Sequence, residues 1–104
     1  MLRSSDFRLV YQKGFRMAGP LVAAFCLKRG DGAGPKIGFT VPRALGNAVT
    51  RNRMKRRMRE CVRRRLGALG AGWSIVFNPR RAALDAPLEE LAREVERVFR
   101  RCSG

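Results

Sequence analysis

Residues 46–65, GNAVTRNRMKRRMRECVRRR, hold nine of the chain's 23 Lys and Arg but a single carboxylate, Glu60. Met54, Met58, Cys61, Val62, Leu66 and Leu69 recur along and just beyond this stretch at i, i+4, i+7 and i+8. That spacing predicts a helix with one apolar face. Arg53, Arg56, Arg57, Arg63 and Arg64 then fall on the other side as a cationic ridge. Like charges three and four residues apart repel, so the ridge costs stability unless an anion covers it. Gly46 and Asn47 suit a loop, and either Asn47 or Thr50 can cap the first turn. The open amides of that turn favour a phosphate.

The flanks of the helix set the fold class. Residues 36–41, KIGFTV, and residues 73–77, WSIVF, are of strand composition. A strand, a long helix and a second strand imply a crossover and a parallel pair. Upstream, residues 21–28, LVAAFCLK, form another apolar run, separated from KIGFTV by the loop RGDGAGP. These two runs are expected to pair as an antiparallel hairpin. Along the first, Ala23 and Phe25 share one face while Val22, Ala24 and Cys26 share the other. Phe15–Ala18 is a short extended piece broken by Gly19-Pro20.

Ser4, Ser5 and Asp6 signal a helix start, and Phe7, Val10 and Tyr11 recur at i, i+3, i+4 until Gly14. Periodicity alone leaves Phe7 and Tyr11 open between core docking and ligand contact. Residues 80–86 read as a loop, and a last helix begins near Pro87. Its inner face carries Leu88, Leu91, Ala92, Val95, Val98, Phe99 and Cys102, with acids early and arginines late. The sum is α-β-β-α-β-α, an α+β sandwich with helices mainly on one side of a sheet.

At 104 residues and 45% hydrophobic, the chain makes one domain, residues 1–104. A formal charge of +15 points to a polyanion, nucleic acid first and an anionic membrane surface second. Nineteen of the cations are Arg, whose planar fork suits phosphates and bases and favours nucleic acid. No apolar run nears the roughly 20 residues that span a bilayer. The opening MLRSSDF carries no signal-peptide core. A soluble, cytoplasmic protein is expected.

Chemistry is harder to place. With no His and no carboxylate cluster, the polypeptide lacks the parts for acid–base or two-metal catalysis. No phosphate-cradling glycine loop of the nucleotide-binding kinds occurs. Cys26, Cys61 and Cys102 are far apart in sequence and set in apolar patterns, which predicts buried reduced thiols and no zinc site. Neither a catalytic residue nor a metal ligand is expected on this chain.

The residues do resemble a family. GNAVTRNRMKRRMRE is similar to the RNR signature of the bacterial ribonuclease P protein subunit, and SSDFRLVYQKG and KIGFTVPRALGNAV resemble its first helix and its approach to the signature. The resemblance implies a ribosomal-protein-like α/β sandwich, α-β-β-(β)-α-β-α, with a mixed sheet and a left-handed β-α-β crossover. It implies two RNA partners, a catalytic RNA subunit and precursor tRNA, with no further protein partner required. Mg²⁺ would be held by RNA and substrate while the 5′ leader is removed.

By position, Arg51, Asn52, Arg53, Lys55, Arg56 and Arg59 would face the catalytic RNA. Phe7, Tyr11, Ala23, Phe25, Thr40 and Arg43 would line the leader cleft. Aromatic faces with flanking cations suit a strand of variable sequence. A structural binder of ribosomal RNA remains the alternative. A duplex-DNA binder lacks any helix-turn-helix spacing in its support.

Overall fold

In the computed structural model, which describes residues 4–30 and 32–103, seven elements follow one another. They are α1 (Ser4–Lys13), β1 (Phe15–Ala18), β2 (Val22–Lys28), β3 (Lys36–Phe39), α2 (Ala48–Arg65), β4 (Trp73–Pro79) and α3 (Leu88–Arg101). Asp31, in the glycine-rich loop, lies outside the described residues. The strands make one mixed sheet in the order β1-β2-β4-β3. β3 and β4 are parallel and the other pairs antiparallel.

β4 decides that order. Six of its seven residues are buried, and a strand buried on both faces belongs inside a sheet. It lies between β2 and β3, so the hairpin expected from residues 21–28 and 36–41 does not form. The loop between those runs is too long to impose a two-residue turn, and burial of β4 decides the pairing. The hairpin that does form is β1–β2, turned at Gly19-Pro20, where Gly19 N donates to Val22 O at 2.9 Å. The crossover through α2 joins the parallel pair as expected.

Alternation along the strands separates two faces. Val22, Ala24 and Cys26 of β2 and Trp73, Ile75 and Phe77 of β4 pack under α2 and α3 in the main core. The other face carries Val76 and Phe25 beneath Val10 and Phe7 of α1. α1 packs on that face against β2 and β4.

α2 begins at the Asn47 cap, whose Oδ1 accepts from Thr50 N at 2.9 Å. Met54, Met58 and Cys61 are fully buried. The expected apolar stripe runs on through Leu66 and Leu69, but the α-helix ends at Arg65 and a 3₁₀ turn, Leu66–Ala68, follows. Leu66 is 44% exposed, and Gly67 and Gly70 break the period. Residues 80–86 are not an open loop: Arg81–Leu84 form a 3₁₀ turn with Ala83 and Leu84 buried.

α3 pins the β1–β2 turn from above. Glu94 accepts from Leu21 N and Val22 N, each at 3.1 Å. The three cysteines are free and buried. Cys26 and Cys102, far apart in sequence, share a hydrogen bond that with burial drives the Cys26 thiol upward.

Candidate nucleic-acid interface

The cationic ridge of α2 divides by what each side chain touches. Arg57 turns inward, its Nε donating to Ala83 O at 3.0 Å and Nη2 to Ala86 O. Arg53 donates to Leu84 O at 3.1 Å and lies 3.8 Å from Asp85. Arg63 and Arg64 both hold Glu60, which their hydrogen bonds keep below the usual carboxylate range. Arg65 bridges to Glu89 and Glu96 on α3. The expected outer ridge of Arg53, Arg56, Arg57, Arg63 and Arg64 is therefore wrong for Arg57, which turns inward; Arg53 stays exposed while also reaching the Arg81–Leu84 turn. Helix period places a residue on a side, but the buried carbonyls beside it come from another part of the chain.

What remains outward is a narrower face. Asn52, Arg56 and Arg59 line a shallow depression of about 390 Å³ with Val49. Val49 is 74% exposed, and Asn52, Arg56 and Arg59 are exposed as well. Arg51 and Lys55 are half-buried beside it. Asn52, Arg56 and Arg59 repeat at helical spacing, so three of the six signature residues share one surface. They can meet phosphate oxygens bidentately and, through Asn52, a ribose or base edge.

The second constellation lies on the α1 face of the sheet. Tyr11 meets Phe25 edge to face, with ring centroids 4.7 Å apart at 72°. The Tyr11 hydroxyl reaches Thr40 Oγ1 and Asn78 Oδ1, both at 2.9 Å. Tyr11 is 37% exposed, and Phe7, Phe25 and Thr40 are half-buried. The aromatic rings are thus part-exposed on this face and are not sealed in the core. Ala23 is buried at 5% exposure and can only be its floor. Arg43 is exposed, in the 3₁₀ turn Arg43–Leu45 that follows Thr40, and touches none of these groups.

Asn78 escapes a sequence reading because Asn-Pro signals the end of a strand. Strand alternation gives the clue: Ser74, Val76 and Asn78 share the face opposite Trp73, Ile75 and Phe77.

The Tyr11 constellation lies at the end of the parallel pair from which the chain runs on to α2. Thr40 and Asn78 close β3 and β4 there, and the turns that follow are tied by Arg81 Nη2 donating to Ala44 O at 2.6 Å. α2 starts from this same end. Among the described residues no three of His, Cys, Asp and Glu stand close enough to hold a metal. Glu60, Glu89, Glu94 and Glu96 are instead engaged by arginines or backbone amides.

The family model for Ribonuclease P matches residues 1–103. The chain is 42% identical over 95 residues to the ribonuclease P protein component of Symbiobacterium thermophilum, spanning 91% of this chain and 83% of that one. It is 41% identical over 100 residues to the corresponding component of Acidothermus cellulolyticus, spanning 95% and 83%. The RNase P protein from Thermotoga maritima superposes with a TM-score of 0.86 at 27% identity, covering 99% of this chain and 97% of that one.

Proposed function

On the premise that the chain belongs to the ribonuclease P protein family, we propose that it binds the catalytic RNA and the 5′ leader of precursor tRNA. In this reading it assists endonucleolytic removal of the leader, and the RNA subunit carries the chemistry. The observation that carries it is the part-exposed ring pair of Tyr11 and Phe25 beside Thr40. Rings held at fixed angles offer stacking faces to unpaired bases whatever their identity. In this reading the depression formed by Asn52, Arg56 and Arg59 meets the catalytic RNA, and exposed Arg43, just beyond Thr40, meets the leader.

Mg²⁺ belongs to RNA and substrate in this reading. Among the described residues no three of His, Cys, Asp and Glu stand close enough together to hold it. The polypeptide binds, orients and screens charge; it moves no proton. A cytoplasmic location follows from the same role, and no helix of the described residues is long and apolar enough to cross a membrane.

The test is reconstitution. The purified chain alone leaves precursor tRNA intact, and with its cognate RNA it restores cleavage at low Mg²⁺. Replacing Phe7 and Tyr11 by Ala weakens binding of precursor far more than of mature tRNA. Unchanged cleavage on adding protein, or equal loss for precursor and mature tRNA, refutes the proposal.

A further inference from the structure

The sheet has a second end, opposite Thr40 and Asn78. β4 begins there at Trp73, β1 begins beside it at Phe15, and α3 finishes over them at Arg101. Gly70 N donates to Cys102 O at 3.0 Å and ties the end of α3 to the segment before β4. Phe15 is the cross-strand partner of Cys26, so its ring lies on the side of the sheet that α2 and α3 cover, away from α1. From Trp73 to Asn78 is about 17 Å of strand. The Tyr11 hydroxyl is therefore remote from this end and on the other face.

Three side chains meet here. The rings of Phe15 and Trp73 stand edge to face, with centroids 6.0 Å apart at 85°. The guanidinium carbon of Arg101 lies over the Phe15 ring, 5.2 Å from its centroid. Trp73 is buried at 7% exposure, whereas Phe15 is 37% exposed and Arg101 is exposed as well. The carboxylates of α3 are engaged elsewhere: Glu89 and Glu96 by Arg65, Glu96 also by Arg100, and Glu94 by the Leu21 and Val22 amides. Among the described residues Arg101 forms no ion pair, and its contact is the ring. A guanidinium laid over a ring keeps its other side for a flat ligand and its edge donors for an anion.

We propose that Phe15 and Arg101 form a second stacking site, taking one unpaired nucleotide of RNA. The base lies on the guanidinium–ring stack, and a phosphate oxygen accepts from the guanidinium edge. In a chain of formal charge +15 an anionic occupant fits the field. An acidic peptide answers the charge but has no plane to lay on the stack. An apolar partner leaves the Arg101 charge covered and unpaired, which is costly. Ring and guanidinium accept the face of any base, so the site takes a nucleotide without regard to sequence. The inference goes beyond the leader reading: it concerns a strand outside both the Tyr11–Phe25 face and the outward face of α2.

The experiment titrates the isotope-labelled full chain by NMR with three probes. They are a short oligoadenylate, a ribose-phosphate chain of equal length without bases, and oligoglutamate. Trp73 is the single tryptophan, so its indole N–H gives one signal beside the site. Oligoadenylate moves this signal together with those of the Phe15 amide and Arg101 Nε on one saturating curve. The base-free chain binds at these signals about tenfold more weakly, the size of a lost base stack, and oligoglutamate is weaker again. Arg101→Lys keeps the charge and loses the plane; it weakens oligoadenylate here about tenfold while the curve read at Tyr11 is unchanged. Phe15→Ala does the same, and if that variant fails to fold, Arg101→Lys at its exposed position carries the test. Still signals, equal binding of the base-free chain, or wild-type binding by Arg101→Lys overturns the proposal. Oligoglutamate binding as tightly as oligoadenylate overturns it too and makes the partner an acidic protein segment. Movement at Tyr11 with none at Trp73 removes this inference and leaves the leader reading; the reverse counts against the leader reading alone.

Discussion

Arg56 and Arg57 are neighbours in sequence, and the structure assigns them opposite consequences. Arg57 donates through Nε and Nη2 to the carbonyls of Ala83 and Ala86, part-buried acceptors with no other partner shown. Replacing it by Ala strands both. Charge-assisted hydrogen bonds are worth about 1.5–3 kcal/mol each when buried, and with partial exposure the pair together contributes about 2 kcal/mol. For a domain of this size that lowers Tm by about 10 °C. Arg56 is exposed in the outward depression and holds no group of the fold, so Arg56→Ala leaves Tm near wild type. Its loss appears in RNA binding. Removing Arg56 and Arg59 together deletes two phosphate contacts and reduces the salt slope by about 2, at about 0.9 per contact. Between about 50 and about 200 mM salt the wild-type affinity then falls about 12-fold further than that of the double variant. Calorimetric melting and a salt titration of catalytic-RNA binding give both readouts. If Arg57→Ala melts like wild type while its salt slope drops, or if the Arg56/Arg59 pair shifts Tm with no change of slope, the division of the helix into anchoring and outward arginines is wrong.

Three further outcomes follow from the packing. All three thiols are buried, with Cys61 raised by desolvation and Cys26 raised by its bond to Cys102 and by burial; native protein resists a thiol reagent at neutral pH that titrates three groups after unfolding, and rapid labelling of the native chain contradicts the burial. Glu60 is held below its ordinary value by Arg63 and then Arg64, so its contribution is full above the unfolded carboxylate range and is lost as pH falls through the lowered folded value; an acid melt of Glu60→Gln that follows wild type in that window contradicts it. Glu94→Ala leaves the Leu21 and Val22 amides without their acceptor, costs about 2 kcal/mol and lowers Tm, and an unchanged Tm in thermal denaturation would mean that water replaces the carboxylate fully.

Local patterns were legible and distant partners were not. The 46–65 stretch announces its helix because charge and apolar residues follow one period, and Met54, Met58 and Cys61 are buried as that period requires. Asn47 caps it, one of the two residues the chemistry offered. The parallel pair followed from strand, helix and strand. Strand order did not, because proximity in sequence favoured a hairpin, whereas the deciding quantity was burial of β4 on both faces. Arg57 could not be read as an anchor, since its acceptors lie in a turn that looked like a loop. Asn78 was hidden for a similar reason: its partner, Tyr11, comes from α1.

The allocation of arginines alters what the net charge means for affinity. Of the nine cations between residues 46 and 65, Arg53, Arg57, Arg63, Arg64 and Arg65 are engaged within the fold. Self-repulsion along α2 is thereby reduced before any RNA arrives, and four cations, Arg51, Lys55, Arg56 and Arg59, remain for it. A surface of that width does not by itself distinguish one folded RNA from another. On the proposed function, discrimination then falls to the Tyr11–Phe25 face of the sheet, where a strand would be gripped only if it continues from RNA docked on α2. Two contacts on one chain raise each other's effective concentration. Damage to the Tyr11–Phe25 face should therefore spare catalytic-RNA affinity and remove the preference for precursor. Damage to the α2 face should weaken both, because the ring pair loses the anchor that brings the strand to it.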